Sequence, residues 1–372
     1  MVLRVGVIGG GQLARMMIPA AVRLGVELRV LAEAPGSSAA LAATAVGDYR
    51  DAETVLDFAR DVDVVTFDHE HVPQPVLAAL VDAGVAVRPG PAALRHAQDK
   101  LQMRARLAEL GAPQPDWAAV SSAAELEAFV AGHGGVAVVK TPRGGYDGKG
   151  VRVVRSAAEV EDWLAPGTAL LAEERVGFVR ELAQQIARRP SGQNAVYPLV
   201  ESEQRDGVCA EVVAPAPRAG RVAQAAARVA VSIAEGLDVT GMLAVELFET
   251  DDERILVNEL AMRPHNSGHW SIEGAVTDQF EQHLRAVLDL PLGSTQLRAP
   301  WTVMVNLLGG PMDGDLDRAR RLALGDQPAA AVHIYGKDPR PGRKIGHVTA
   351  YGADLDDVAF VARAAAIAFS PS

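Results

Sequence analysis

Two glutamates lie in apolar surroundings on either side of a predicted hairpin turn. Glu246 stands within residues 243–248 (LAVELF), and Glu259 stands within residues 255–260 (ILVNEL). Residues 251–253 (DDE) are typical of a turn, so the two strands are expected to pair side by side. Burying an unpaired charge is costly, and carboxylate oxygens are ligands that Mg²⁺ prefers. The pair therefore predicts a magnesium site, and two glutamates on a solvated face are the alternative.

A lysine followed by a glycine-rich segment forms the second candidate site. Lys140 ends a predicted strand at 136–140, and residues 142–150 (PRGGYDGKG) form a hairpin tip before a strand at 151–154. Bare backbone amides together with a lysine suit a flap that covers a polyphosphate. The spacing is not that of a Walker loop. The alternative is an exposed glycine-rich hairpin without a ligand.

The beginning of the chain has the spacing of a dinucleotide-binding fingerprint. Gly9, Gly11 and Ala14 follow a strand at 3–8, and Glu33 follows the next strand. Backbone amides at the start of a helix can receive a phosphate. A tight strand-to-helix turn without a ligand remains open, and NAD is disfavoured because the second half of a Rossmann domain does not follow.

Three further segments are rich in polar side chains. Residues 263–269 (RPHNSGH) combine anion-binding and hydrogen-bonding groups but lack the glutamate of a zinc protease motif. Residues 337–344 (KDPRPGRK) place four cations on a Pro/Gly turn, which suits either a phosphorylated substrate or solvent. Residues 68–71 (DHEH) end a predicted strand, and a metal cluster, a substrate contact and an ordinary loop all remain open.

The elements that must position these groups change in character along the chain. Residues 1–95 alternate strands with helices, which predicts a parallel α/β lobe of half-Rossmann size. Its predicted strands are 3–8, 27–32, 62–67 and 85–87, and its predicted helices are 12–24, 51–60 and 74–83. A helix is predicted at 98–110, and capping boxes at Ser122 and Ser156 each predict the start of a further helix. Later predicted strands are 169–174, 181–188, 195–202, 208–213, 242–249, 255–260, 301–307, 331–335 and 345–350, with helices at 218–236 and 355–368.

Composition excludes several classes of protein. The chain has 372 residues, which suits two or three lobes, and its formal charge of −11 argues against a duplex nucleic-acid binder. We expect no membrane span and no signal peptide, and hence a soluble, cytoplasmic protein. The single cysteine, Cys209, excludes an internal disulfide. Lysine is scarce, which suggests that it is kept where a compact ammonium is needed; the lysines are Lys100, Lys140, Lys149, Lys337 and Lys344.

Four segments together resemble the ATP-grasp ligases and, among them, the 5-(carboxyamino)imidazole ribonucleotide synthetases of purine biosynthesis. They are residues 144–150, 258–261, 265–270 and 340–347. The resemblance implies an α/β and α+β multidomain protein with the ATP-grasp fold, an N-terminal half-Rossmann-like parallel lobe and a small C-terminal β-rich domain. The implied domains are 1–95 (pre-ATP-grasp), 96–290 (ATP-grasp, with a flap-bearing subdomain at about 115–168) and 291–372.

The family's reaction is implied by the same resemblance. ATP phosphorylates bicarbonate to carboxyphosphate, which delivers carbon dioxide to the exocyclic amine of 5-aminoimidazole ribonucleotide, leaving ADP and phosphate. The resemblance implies ATP and two Mg²⁺ ions as cofactors and a homodimer, while charge and composition argue against a nucleic-acid or membrane partner. Two alternatives remain: a related ligase such as a formate-dependent glycinamide ribonucleotide transformylase, and a dinucleotide-binding oxidoreductase or sensor.

The resemblance also implies a role for each candidate residue. Arg263 and His265 would orient bicarbonate, Glu246 and Glu259 would bind Mg²⁺, and Glu181 would accept both ribose hydroxyls. ATP would further contact Arg95, Lys140, Gly145, Tyr146, Asp147, Gly148, Lys149, Gly150, Val151, Glu173, Glu174, Arg175, Val176, Gln204, Asn258 and Glu259. The ribonucleotide would contact Gly9, Gly10, Gly11, Gln12, Glu70, Tyr146, Lys149, Lys337, Arg343 and Lys344.

Overall fold

The computed structural model describes residues 2–145, 150–164, 167–205 and 207–370. Its N-terminal lobe is the predicted α/β unit, with four parallel strands in the order β3-β2-β1-β4. The elements are β1 (Arg4–Ile8), α1 (Gln12–Leu24), β2 (Glu27–Ala32), β3 (Ala43–Val46), α2 (Ala52–Ala59), β4 (Val64–Phe67) and α3 (Gln74–Asp82). The predicted strand at 85–87 is wrong, because only Val87 pairs, through a single bridge to Val65.

Two helices connect this lobe to the rest of the chain. They are α4 (Pro91–Gln98) and α5 (Lys100–Glu109), and the sequence predicted only the second. The break between them lies at Asp99, whose carboxylate accepts hydrogen bonds from the amides of Leu101 and Gln102 at 3.1 Å each. An aspartate at a helix N-cap satisfies amides that otherwise have no partner, so α5 begins at Lys100.

A second, four-stranded sheet carries the glycine-rich tip. Its order is β5-β8-β6-β7, and β6 and β7 form the predicted antiparallel hairpin. The elements are β5 (Trp117–Val120), α6 (Ala123–Gly132), β6 (Ala137–Lys140), β7 (Val151–Val154) and β8 (Leu170–Glu174). The capping box at Ser156 forms, but the helix predicted there is wrong: only a 3₁₀ turn at Ala157–Val160 follows.

The largest sheet has nine strands and runs through the centre and the C-terminal part. Its order is β14-β13-β9-β11-β12-β15-β17-β16, with β10 paired to β9. The strands of this sheet are β9 (Phe178–Arg188), β10 (Asn194–Val196), β11 (Val200–Arg205), β12 (Val208–Ala214), β13 (Gly241–Thr250), β14 (Ile255–Ala261), β15 (Trp301–Leu308), β16 (Ala331–Ile334) and β17 (Lys344–Gly352). The helices in the same part of the chain are α7 (Gly220–Gly236), α8 (Ser271–Gly274), α9 (Gln279–Val287), α10 (Leu316–Asp326) and α11 (Leu355–Ile367). The strand predicted at 195–202 is split in two around Pro198, which has no amide hydrogen to continue the ladder.

Packing joins the N-terminal lobe to the central sheet. One buried apolar cluster contains Leu77 and Leu80 of α3 together with Leu243 and Val245 of β13. The strands after residue 291 continue the same sheet, since β12 pairs with β15. The domain boundaries predicted at 95 and 290 therefore stay predictions. No helix in the described ranges combines the length and the apolar character required for crossing a membrane.

Candidate active site

The predicted carboxylate pair forms on neighbouring strands. Glu246 of β13 and Glu259 of β14 occupy paired positions in the antiparallel register. Burial raises the pKa of Glu246 to about 8, and repulsion from Glu259 and Glu181 adds to the rise, while Lys344 and Arg263 act in the opposite direction. The cations around this carboxylate are too few to offset its burial and the neighbouring negative charges. Carboxylate oxygens that lack enough compensating positive charge are suitable ligands for a divalent cation such as Mg²⁺.

Two lysines border this pair. Nζ of Lys100 lies 2.9 Å from Oε1 of Glu259. Nζ of Lys140 lies 2.7 Å from Oε2 of Glu173 and donates to Oδ1 of Asn258 at 3.2 Å. Lys100 was not among the predicted site residues, although the scarcity of lysine was a signal that pointed to it. The two ammonium groups reach the site from α5 and from the base of the hairpin.

Glu173 holds Lys140 and Arg104 in place. Its side chain is buried, and its Oε1 accepts from Nε of Arg104 at 2.6 Å while its Oε2 binds Lys140. These two cations lower the pKa of Glu173 against the opposing effect of burial. Arg104 also donates to the carbonyls of Val257 and Asn258 at 2.7 and 2.8 Å, which ties α5 to β14. The carboxylate of Glu173 is thus engaged within the protein, and the ATP contacts predicted for residues 173–176 stay predictions.

The glycine-rich tip is described only at its base. Tyr146, Asp147, Gly148 and Lys149 lie outside the described residues. The amide of Thr141 donates to the carbonyl of Gly150 at 2.9 Å, and Val151 pairs with Lys140 where β7 begins.

The start of α5 is tied to this base. The amide of Lys100 donates to the carbonyl of Pro142 at 2.9 Å, and Arg143 binds Asp99 at the same distance. Gly145 lies beyond these contacts, at the last described position before the tip.

Other predicted nucleotide contacts lie on the same central sheet. Glu181 pairs with Phe248, two positions from the Ala183–Glu246 pair, so Glu181 and Glu246 share a face of the sheet. Burial raises the pKa of Glu181. On β11, Nε2 of Gln204 donates to Oγ of Ser202 at 3.0 Å. Arg95, by contrast, is exposed on α4.

Arg263 and His265 approach the carboxylate pair from the segment after β14. Nε2 of His265 lies 3.3 Å from Oε1 of Glu246. Nε of Arg263 binds Oε2 of Glu70 at 2.6 Å, and Oε1 of Glu70 accepts from the amide of Met262 at 3.2 Å. Glu70 of the N-terminal lobe thereby orients an arginine beside the pair.

Three of the residues at 68–71 bind other parts of the described chain. Asp68 accepts from the amides of Gly11 and Ala14 at 3.0 and 2.8 Å, His69 binds Glu33 at 3.1 Å, and Glu70 binds Arg263. Within those parts of the chain that are described, no group of three or more His, Cys, Asp or Glu side chains has metal-binding geometry. The substrate contact predicted for Glu70 stays a prediction.

The same contacts explain the N-terminal glycine turn. Besides the two amides bound to Asp68, the amide of Gly10 donates to Glu33 at 3.1 Å. A Cβ on Gly11 would lie 2.0 Å from Oδ2 of Asp68, so that position requires glycine. The protein's own carboxylates thus take the place that a dinucleotide phosphate would need, which argues against the oxidoreductase alternative.

The basic turn near the C-terminus meets the N-terminal lobe. Nζ of Lys337 donates to Oε1 of Gln12 at 2.7 Å, so two predicted ribonucleotide contacts from opposite ends of the chain lie together. Arg343 donates to the carbonyl of Asp338 at 3.2 Å. Lys344 begins β17, and its charge acts on both Glu246 and His265. The C-terminal part therefore contributes cations to the site.

Comparison with known proteins covers most of the chain. Residues 2–98 match the ribonucleotide synthetase preATP-grasp domain, residues 105–280 match the ATP-grasp domain, and residues 302–359 match the phosphoribosylaminoimidazole carboxylase C-terminal domain.

The names of individual relatives agree with these family matches. The N5-carboxyaminoimidazole ribonucleotide synthase of Corynebacterium ammoniagenes is 51% identical over 374 residues, which cover 97% of this chain and 91% of the relative. The structure of N5-carboxyaminoimidazole ribonucleotide synthetase from Thermus thermophilus is 36% identical, with a TM-score of 0.88 and 99% coverage of both chains. The Aspergillus clavatus N5-carboxyaminoimidazole synthase in complex with ADP and 5-aminoimidazole ribonucleotide is 31% identical, with a TM-score of 0.89 and coverage of 99% and 98%.

Proposed function

The chain belongs to the N5-carboxyaminoimidazole ribonucleotide synthase family, and we propose that the groups around Glu246 and Glu259 carry out the chemistry of that family. It is an ATP-dependent ligase with the ATP-grasp fold, and it carboxylates 5-aminoimidazole ribonucleotide in purine biosynthesis. The observation that supports the assignment of the site is the paired register of Glu246 and Glu259, bordered by Lys100, Lys140 and His265.

ATP binds with its phosphates toward the carboxylate pair in this proposal. Glu246 and Glu259 would hold Mg²⁺, which when bound spreads the negative charge of the phosphoryl group. Lys140 and Lys100 neutralise the phosphate oxygens, and the family resemblance assigns the glycine-rich segment 145–151 to the same ATP molecule. Glu181 accepts the ribose hydroxyls, since a carboxylate can accept from two donors at once.

The chemistry begins with bicarbonate held by Arg263 and His265. A bicarbonate oxygen attacks the γ-phosphorus, the bond from phosphorus to the ADP oxygen breaks, and carboxyphosphate forms. Its carbon–oxygen bond then breaks to give carbon dioxide and inorganic phosphate. The exocyclic amine forms the new carbon–nitrogen bond and loses a proton. The contact between Arg263 and Glu70 supports this role, because it holds the guanidinium in one orientation before the anion arrives.

The ribonucleotide is placed between the N-terminal lobe and the basic turn. The 2.7 Å contact between Lys337 and Gln12 supports this position, as does the effect of Lys344 on Glu246. Arg343 and Lys344 would bind its phosphate, where positive charge is most useful. Gly9, Gly10 and Gly11 directly precede Gln12 in the chain. The amides of Gly10 and Gly11 donate to Glu33 and Asp68.

The remaining properties follow the family resemblance. We propose two Mg²⁺ ions, a homodimer and a cytoplasmic location. A single buried cysteine among the described residues is compatible with a reducing compartment. Sedimentation of the purified protein tests the dimer, because a monomer has half the expected mass.

An assay with single omissions tests the proposed reaction. We expect ADP release to require both bicarbonate and 5-aminoimidazole ribonucleotide, and labelled bicarbonate to enter the product. Formate replaces bicarbonate as the control. ADP release that depends on formate, or that is indifferent to the ribonucleotide, would contradict the proposal.

A further inference from the structure

The two ring nitrogens of His265 face different surroundings. Nε2 points to the carboxylate pair, 3.3 Å from Oε1 of Glu246, whereas Nδ1 lies 2.8 Å from the hydroxyl oxygen of the buried Ser267. A neutral imidazole carries its proton on only one nitrogen. The partner of Nδ1 therefore decides whether His265 donates or accepts a hydrogen bond at the reaction centre.

The backbone after His265 supplies one donor to Nδ1. His265 caps the 3₁₀ turn Asn266–Gly268, and Nδ1 accepts from the amide of Ser267 at 3.4 Å. An amide N–H only donates, so the nitrogen that faces it must be the unprotonated one. This donor does not depend on how any hydroxyl or side-chain amide is oriented.

Gln185 directs the hydroxyl of Ser267 to the same nitrogen. Nε2 of Gln185 donates to Oγ of Ser267 at 2.8 Å, and both side chains are almost completely buried. A serine hydroxyl has a single proton. Because its oxygen accepts from Gln185, the hydroxyl proton is directed to Nδ1 of His265.

Gln185 is well placed to act on the reaction centre. It lies on β9, two residues from Ala183, which pairs with Glu246. The same strand therefore sets both the position of a carboxylate and the hydrogen-bonding direction of the histidine beside it. Neither Gln185 nor Ser267 contacts the carboxylates directly among the described hydrogen bonds, so both act through His265.

We propose that Gln185 and Ser267 are positioning residues that hold His265 as the neutral tautomer with its proton on Nε2. His265 then donates a hydrogen bond to a bicarbonate or acyl-phosphate oxygen, and the proton lost by the substrate amine goes to another group. The inference rests on the proposed function, which places that anion beside His265. It makes His265 a hydrogen-bond donor rather than a general base.

Nuclear magnetic resonance of the intact protein tests the tautomer without any substitution at Gln185 or Ser267. The chain has nine histidines, and the His265 signals are assigned by their absence in His265→Asn. With ¹⁵N-labelled histidine, we expect a protonated-type shift at Nε2 and an unprotonated-type shift at Nδ1. In Ser267→Ala the two shifts should move toward each other as the tautomers mix. An unprotonated Nε2 in the unsubstituted protein would overturn the inference.

Steady-state kinetics provide a second test of the roles proposed for Gln185 and Ser267. Ser267→Ala and Gln185→Met should each lower kcat by about 10-fold, the scale of losing a group that orients an active-site histidine, with little change in KM. Gln184→Met is the matched control, because Gln184 is equally buried on the same strand but donates to the backbone carbonyls of Tyr197 and Gln185, at 2.6 and 3.2 Å, and not to Ser267. We expect near-normal kcat from this control.

Equal losses of kcat in Gln184→Met and Gln185→Met would show a general packing effect and overturn the inference. The proposed function fails separately, if the unsubstituted enzyme releases ADP without needing bicarbonate.

Discussion

Nζ of Lys100 lies 2.9 Å from Oε1 of Glu259, which joins the first residue of α5 to the carboxylate pair. The residue before it, Asp99, caps α5 and also binds Arg143 at the base of the glycine-rich tip. One helix start therefore contacts both the base of the predicted ATP flap and a predicted metal ligand. A lysine suits this position because its compact ammonium fits beside the carboxylate of Glu259.

Replacing Lys100 should weaken the use of ATP. In Lys100→Met we expect kcat/KM for ATP to fall about 10- to 100-fold, the equivalent of losing one charge-assisted hydrogen bond. Arg95→Met is made for comparison, because Arg95 is a predicted ATP contact but is exposed on α4. Steady-state ADP release measures both variants. A larger loss in Arg95→Met would support the original sequence-based prediction for Arg95 over the role given to Lys100.

Arg263 should matter more than the glutamate that holds it. We expect Arg263→Ala to lower turnover about 10²- to 10³-fold, the scale of removing a preorganised donor. Glu70→Gln keeps the guanidinium and removes only the charge that orients it, so its loss should be smaller. Turnover at saturating substrates measures both. Near-normal turnover in Arg263→Ala would remove Arg263 from the reaction centre.

Lys344 should act mainly on the ribonucleotide. Removing its charge in Lys344→Ala should raise the KM for 5-aminoimidazole ribonucleotide more than the KM for ATP, because a phosphate loses a cationic partner. Initial rates at varied concentrations of each substrate give the two values. An unchanged KM for the ribonucleotide would place Lys344 outside that binding site.

His283 should make stability depend on pH. Its Nε2 lies 2.8 Å from Oγ1 of Thr66, its Nδ1 accepts from the amide of Met242 at 3.0 Å, and burial lowers its pKa to about 3. The unfolded chain, with a pKa near 6.5, takes up the proton first as the pH falls. The stabilisation that neutral His283 gives the folded protein is therefore complete above pH 6.5. The free energy of unfolding then decreases as the pH falls toward 3, by up to about 1.4 kcal/mol per pH unit.

Urea unfolding at pH 5 and pH 7 checks this prediction. The difference in unfolding free energy between the two pH values should be smaller for His283→Gln than for the unsubstituted protein. His269 and His347 are also buried with lowered pKa, but they are present in both proteins and cancel in the comparison. An identical pH dependence in both proteins would contradict the assignment of neutral His283.

Sequence patterns located the strongly periodic elements well. Helix α1 and strand β2 begin and end at the predicted residues, and Glu246 pairs with Glu259 as the turn between them indicated. Helix α10 was not predicted, because no apolar pattern or cap was identified before β16. The fold class was predicted through the resemblance of short segments rather than through periodicity.

Contacts between distant parts of the chain were harder to predict. The salt bridge between Glu70 and Arg263 spans two lobes, and Lys100 reaches Glu259 from a helix whose start was set by Asp99. Local propensity carries no information about such pairs. The ion pairs of Glu173, a predicted ATP contact, with Arg104 and Lys140 could likewise be found only in the packed structure.

Oxygen transfer from bicarbonate tests the central claim most directly. With ¹⁸O-labelled bicarbonate, ATP and 5-aminoimidazole ribonucleotide, the account predicts that one labelled oxygen appears in the inorganic phosphate of each turnover, because a bicarbonate oxygen attacks the γ-phosphorus. The reaction is stopped before bicarbonate loses its label to water through carbon dioxide, and the phosphate is then analysed by mass spectrometry. Unlabelled phosphate, released while the carboxylated ribonucleotide accumulates, would contradict the claim that this site phosphorylates bicarbonate.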